Sequence, residues 1–126
     1  MNTNEHELDE LVRTVVGAAY QVSNSLGCGF LEKVYERALA VELTARKISV
    51  ETQVSFDVLY RESLVGTYTA DLVVSDRLIV ELKCVTEFTN DHIAQCLNYL
   101  KASGLHLALL FNFQHPKVSW KRVIRS

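Results

Sequence analysis

A chain of 126 residues, 48% hydrophobic and 22% charged, has the composition of one soluble globular domain over residues 1–126, large enough to bury an ordinary core. A net charge of −2 and a pI near 6.1 argue against nucleic-acid binding by bulk positive charge. No apolar run reaches membrane-spanning length, Met1-Asn-Thr-Asn-Glu-His-Glu is too acidic for a secretory signal, and the odd, scattered set Cys28, Cys84 and Cys96 fits reduced thiols; a cytoplasmic protein with no membrane partner is expected.

Leu8, Leu11, Val12, Val15, Val16, Ala19, Val22 and Leu26 recur at helical spacing, which predicts a helix from about Glu5 to Leu26, with Asn4 and Glu7 as a capping box and Gly27 as its stop. After Gly27-Cys28-Gly29, a second helix carries Leu31, Val34, Tyr35, Ala38, Leu39 and Leu43 and ends near Arg46-Lys47. From Val50 the period changes to two, and Val50, Thr52, Val54, Phe56, Val58 and Tyr60 predict a strand with one wet face. Arg61-Glu62-Ser63 reads as a turn, and two β-branched stretches flanking Ser75-Asp76-Arg77 read as a hairpin. Thr89-Asn90-Asp91 supplies an N-cap for a third helix with a stripe of Ile93, Cys96 or Leu97, and Leu100, which Gly104 ends. Leu105 to Phe113 predicts a strand covered on both faces, and Val118 to Ile124 a last, edge-lying strand. The order α-α-β-β-β-α-β-β implies a mixed α/β (α+β) sheet with helices on it, the third helix being long enough for a crossover to a parallel neighbour.

Asp71, Glu81 and Lys83 carry the chemistry. If Ser75 to Arg77 form a three-residue loop, Val74 opposes Leu78 and Asp71 faces Glu81 across an antiparallel pair. Two carboxylates so placed repel, and a divalent cation between them would remove the conflict; a loop one residue longer or shorter would turn Asp71 to the other face. Leu78 to Val85 is otherwise apolar, so Glu81 and Lys83 are expected to be partly buried, where charge is costly unless paired or metal-bound. Taken alone, the same three residues also fit the exposed face of a hairpin. Glu32 lies one turn from Tyr35 and Glu36, and its spacing alone fits a surface carboxylate beside a core tyrosine. Gln95 and Tyr99 share a helix face. His92 and Cys96 stand at i, i+4 with no second pair to complete a zinc site. Cys84 alternates to the face opposite Lys83, as a buried structural thiol would, and Trp120 suits either base stacking or edge-strand packing.

Gly29-x-x-Glu32-x-x-Tyr35 is the signature of the small GxxExxY proteins, which the chain resembles over nearly its whole length. The resemblance runs through Leu26 to Glu36, Thr69 to Val74, Ile79 to Lys83, and Phe111-Asn-Phe followed by Lys121-Arg122-Val123; Cys28 stands where that family has proline. The family is grouped with the PD-(D/E)xK nuclease-like superfamily, which implies a restriction-endonuclease-like αβββαβ core, here with an extra N-terminal helix and a C-terminal edge strand. It further implies that Asp71 and Glu81 hold Mg²⁺ or Mn²⁺, with the Leu82 carbonyl as a further ligand. Lys83 would position or deprotonate a water or neutralise the phosphate, Glu32 would add a carboxylate, Gln95 would orient nucleophile or phosphate, and Tyr99 would support it or stack on a base. Glu36 is a lesser candidate. The function implied is metal-dependent hydrolysis of phosphodiester bonds in DNA, with RNA left open. The alternative is a non-catalytic nucleic-acid-binding or protein-assembly module that keeps the fold. So small a core offers little surface for a duplex, which points to a homodimer or a larger protein partner.

Overall fold

The computed structural model describes residues 3–126; Met1 and Asn2, which open the acidic N-terminal stretch, lie outside the described residues. Helix α1 (Thr3–Leu26) already includes Asn4, so the expected Asn4–Glu7 box is inside the helix and not its cap. Its apolar stripe buries Val12, Val15, Ala18, Ala19 and Val22, while Leu26, at the last turn, is exposed. Gly27 ends the helix at φ +71°, its N–H donating to the Ser23 carbonyl at 2.9 Å, in a left-handed conformation that costs glycine nothing.

Helix α2 (Glu32–Ala45) buries Tyr35, Glu36, Leu39 and Leu43. Two residues of the expected stripe do not belong to it: Leu31 sits before the first turn and is 77% exposed, and Val34 is 39% exposed. Tyr35 is the anchor of the preceding loop. Its hydroxyl donates to the Gly27 carbonyl at 2.7 Å and accepts from the Phe30 N–H at 3.3 Å, and its ring stacks on Phe113 at 4.5 Å.

Five strands follow, β1 (Val50–Tyr60), β2 (Ser63–Val74), β3 (Leu78–Lys83), β4 (Leu107–Asn112) and β5 (Ser119–Ile124), with helix α3 (Asn90–Ser103) between β3 and β4. The sheet runs in the order β1-β2-β3-β4-β5, with β3 and β4 parallel and every other pair antiparallel. This is the mixed α/β sheet expected from the sequence, and α3 is the crossover that the parallel pair requires. Arg61 and Glu62, both at positive φ, form a two-residue turn, so Ser63 opens β2 and pairs with Tyr60 instead of belonging to the turn. The β2–β3 loop is Ser75-Asp76-Arg77, and Val74 does oppose Leu78. Thr89 caps α3, exchanging hydrogen bonds with His92, and Gly104 ends it at φ +76°.

Side chains alternate across the sheet into two apolar layers. Leu72, Val74, Leu78, Val80, Leu82, Leu107, Leu109 and Phe111 pack under α1 and α2; Ile79, Ala108, Leu110 and Val123 pack under α3 with Cys96, Tyr99 and Leu100. Strand β4 is buried along its whole length, and each of its leucines contributes about 1.5–3 kcal/mol. Trp120 packs against the first layer, its ring 6.3 Å from that of Phe111. Basic residues near the C-terminus are partly engaged: Arg122 reaches Asp9 at 3.8 Å and Arg125 donates to the Leu105 carbonyl. Cys28, Cys84 and Cys96 are free thiols. No helix among the described residues is long and apolar enough to cross a membrane.

Candidate functional site

The β2–β3 ladder pairs Val74 with Leu78, Val73 with Ile79 and Leu72 with Val80, and the next step brings Asp71 against Glu81. There side chains replace the ladder. The Asp71 N–H donates to Glu81 Oε1 at 3.0 Å, and the Leu82 N–H donates to Asp71 Oδ2 at 2.9 Å. Each carboxylate is therefore bonded to the other's strand. Strand β3 continues along β4 instead, with Glu81 opposite Leu110 and Lys83 opposite Asn112, so β2 and β3 fork at the two acids.

Glu81 is buried at 3% exposure. Burial, and then the Asp71 carboxylate, push its carboxyl up to about 8, against the pull of the Asp71 N–H and the Lys83 ammonium. The same field reaches α3. The Cys96 thiol and the Tyr99 hydroxyl are each pushed up to about 12, first by burial and next by Glu81. Lys83 Nζ donates to Gln95 Oε1 at 3.4 Å, and the Tyr99 ring meets Tyr68 edge-on at 4.8 Å. Asp71, Glu81, Lys83, Gln95 and Tyr99 thus share one corner, between the fork and α3. Beyond Tyr68, an open groove of about 520 Å³ runs between the β1–β2 hairpin and α3, with Asp57, Asn98 and Lys101 on its walls.

Glu32 is placed differently. Its Oε1 accepts from the Cys84 N–H at 3.2 Å, just past the end of β3, and no three His, Cys, Asp or Glu side chains gather into a metal-sized cluster among the described residues. Cys84 is half-buried and not fully so, and burial, then Glu32, push its thiol up, which opposes nucleophilic use.

Asn112, which sequence reasoning did not single out, latches the chain after Lys83. It is 2% exposed; its Oδ1 accepts from the Val85 and Gln114 N–H groups and its Nδ2 donates to the Val85 carbonyl at 2.8 Å. A lone polar residue inside the apolar run Leu107 to Phe113 was the available signal. Asn112→Ala is expected to cost about 2 kcal/mol, because it orphans the Val85 backbone groups, and Asn112→Asp at least as much, because a buried carboxylate oxygen would face the Val85 carbonyl; urea denaturation of both variants checks this.

The acids suit a hard cation. One oxygen of each carboxylate takes a backbone N–H, and the two carboxyl groups also meet side chain to side chain, sharing the Glu81 proton. An all-oxygen donor pair whose burial already resists two negative charges fits Mg²⁺ or Mn²⁺ with retained waters.

A family model, that of the PD-(D/E)XK nuclease superfamily, matches residues 9–123. No curated protein matches the chain. Among solved structures it is similar to the crystal structure of SSO0001, at a TM-score of 0.60 and 14% identity over 75% of this chain and 50% of that one. It is also similar to an alkaline exonuclease, LHK-Exo, from Laribacter hongkongensis, at a TM-score of 0.56 and 14% identity over 75% of this chain and 56% of that one. The chain spans about half the length of each, and at such identity the likeness bears on the fold alone. The forked strands, their two acids and the crossover helix all lie within the matched residues, and the chain belongs to the PD-(D/E)XK nuclease superfamily.

Proposed function

We propose that this protein is a nuclease of the GxxExxY type that hydrolyses phosphodiester bonds in DNA with Mg²⁺ or Mn²⁺ held by Asp71 and Glu81. The observation that carries the proposal is the crossed bonding of those two carboxylates, which holds them side by side where the β2–β3 ladder ends. A divalent cation bound there would lower the pKa of a water and offset charge on the scissile phosphate. Lys83 brings a positive charge beside the acids, as its downward pull on the Glu81 carboxyl reflects, and Gln95 steadies its ammonium. We assign Lys83 to the phosphate charge that builds during attack, and Tyr99, with its hydroxyl held protonated, to donating toward substrate. Glu32, tied to the Cys84 N–H, steadies the end of β3 just beyond Lys83. The groove beside Tyr68 is lined by none of the acids or Lys83, so it would take nucleotides flanking the scissile phosphate, with Lys101 on its wall. A second copy or a larger partner would complete the surface for a duplex.

The test is cleavage of end-labelled single-stranded, duplex and branched DNA, with an RNA arm, by purified protein with and without Mn²⁺. Cleavage is expected only with metal, absent in Asp71→Ala and reduced about 10²–10³-fold in Lys83→Ala, the range for loss of one charge-stabilising group. Protein that neither binds Mn²⁺ by calorimetry nor cuts any of these substrates rules the proposal out.

A further inference from the structure

Strand β1 changes faces in its middle. Val50 packs into the layer under α1 and α2, whereas Val54 and Phe56 pack into the layer under α3. Residues four apart on an uninterrupted strand share a face. Strand β2 does the same: Leu72 belongs to the first layer and Ala70, two residues away, to the second. The pairing keeps its count, Thr52 with Leu72 and Val54 with Ala70, so no residue is inserted. The reversal is therefore confined to the one intervening step, Gln53 against Asp71. Gln53 adopts φ +52°, a left-handed conformation that costs a non-glycine residue about 1–2 kcal/mol.

A strained residue persists only where its surroundings hold it. The Gln53 side-chain amide donates to Glu36 Oε1, reaching from the sheet to α2. Glu36 is 4% exposed, and its other oxygen takes the Lys33 ammonium at 3.2 Å. A buried carboxylate is costly unless bonded, so Glu36 has few arrangements open to it besides this one. Where the reversal falls, the β2–β3 ladder stops, and the Asp71 N–H and carboxylate turn to Glu81 and to the Leu82 N–H.

We infer that Glu36 and Gln53 are positioning residues: their hydrogen bond holds the reversal in β1 and so sets the backbone of Asp71 for the crossed bonding with Glu81. The metal consequence rests on the proposed nuclease function; the backbone consequence does not. Neither residue touches the two acids directly among the described contacts.

Two variants test it. Gln53→Met keeps a strained non-glycine residue and the side-chain length while removing the amide, and Glu36→Gln combined with Gln53→Glu exchanges donor and acceptor while keeping the bond. Amide hydrogen exchange is read in the metal-free protein at Asp71 and Leu82, with Leu109 and Leu110 in β4 as the reference for global stability. Mn²⁺ affinity is read by calorimetry. Gln53→Met is expected to speed exchange at Asp71 and Leu82 selectively and to weaken Mn²⁺ binding about tenfold or more, with the exchanged pair restoring both toward wild type. Unchanged exchange at Asp71 and Leu82, an equal increase across β4, or failure of the exchanged pair to restore them would overturn the inference. Wild-type protein that binds no Mn²⁺ would remove the nuclease proposal and leave the exchange measurement to decide the positioning role.

Discussion

Replacing Glu81 by glutamine is expected to abolish Mn²⁺ binding and cleavage, by roughly a thousandfold or more, while making the metal-free protein more stable at alkaline pH. The two effects have one origin. In the folded chain the Glu81 carboxyl is pushed up to about 8 from an ordinary 4.5. Below pH 4.5 both folded and unfolded chains carry the proton, and the fold has its full stability with respect to this group. As pH rises from 4.5 toward 8 the unfolded chain releases the proton first, so stability falls; above 8 both are ionised and the loss is complete. A displacement of that size corresponds to a loss on the order of 3–5 kcal/mol. The glutamine keeps an oxygen for the Asp71 N–H and offers its amide to the Asp71 carboxylate, so its stability should not show this fall. Urea denaturation in chelator at pH 5, 7 and 9 reads the difference, which should widen with pH. A variant that is no more stable than wild type at pH 9 would contradict this account. With Mn²⁺ present, the wild-type affinity should rise about tenfold per pH unit up to about 8, because metal must displace that proton.

The second large effect lies away from the acids. Tyr35→Ala should cost about 4 kcal/mol, within the range for removing a fully buried aromatic ring, and Tyr35→Phe about 1 kcal/mol or somewhat more. The ring fills space against Phe113, and the hydroxyl is the joint partner of the Gly27 carbonyl and the Phe30 N–H. Denaturation midpoints separate the two contributions, and a phenylalanine variant as stable as wild type would show that water serves those groups equally well. This gives Gly29, Glu32 and Tyr35 separate physical roles. Gly29 adopts φ +109°, Glu32 accepts from the N–H just beyond β3, and Tyr35 closes the loop that brings them there.

The elements that sequence revealed were those governed by local chemistry. Ser75-Asp76-Arg77 between two β-branched runs announced a three-residue loop, and the register that followed brought Asp71 against Glu81. Thr89 and Gly104 marked the limits of α3 because a cap and a left-handed stop each leave a residue type behind. Features that depend on distant partners were not visible. Gln53 sits in a run whose alternation continues unbroken through Val50, Val54 and Phe56, so nothing in that spacing betrays the change of face. Glu36, in sequence only a lesser candidate for the site, is shown by the fold to be buried between Lys33 and Gln53, away from the two acids' hydrogen bonds. Arg61-Glu62 lacks the glycine or asparagine that usually marks a two-residue turn, which left its boundary one residue uncertain. Leu31 and Val34 fit a helical stripe, but α2 starts after Leu31, and Val34 is left exposed on its first turn.

The parallel pairing of β3 with β4 has a consequence for the order of events when the chain is made. The two acids and Lys83 are synthesised before the strand that lines up Glu81 and Lys83 and the Asn112 latch behind them, which come about thirty residues later, after the whole of α3. Contacts so far apart in sequence form late, because the intervening loop must be closed first. A nascent chain thus carries both carboxylates with no site to put them in. On the proposed reading of the acids, a metal site would be complete only once synthesis has passed Asn112, which latches the chain beyond Lys83.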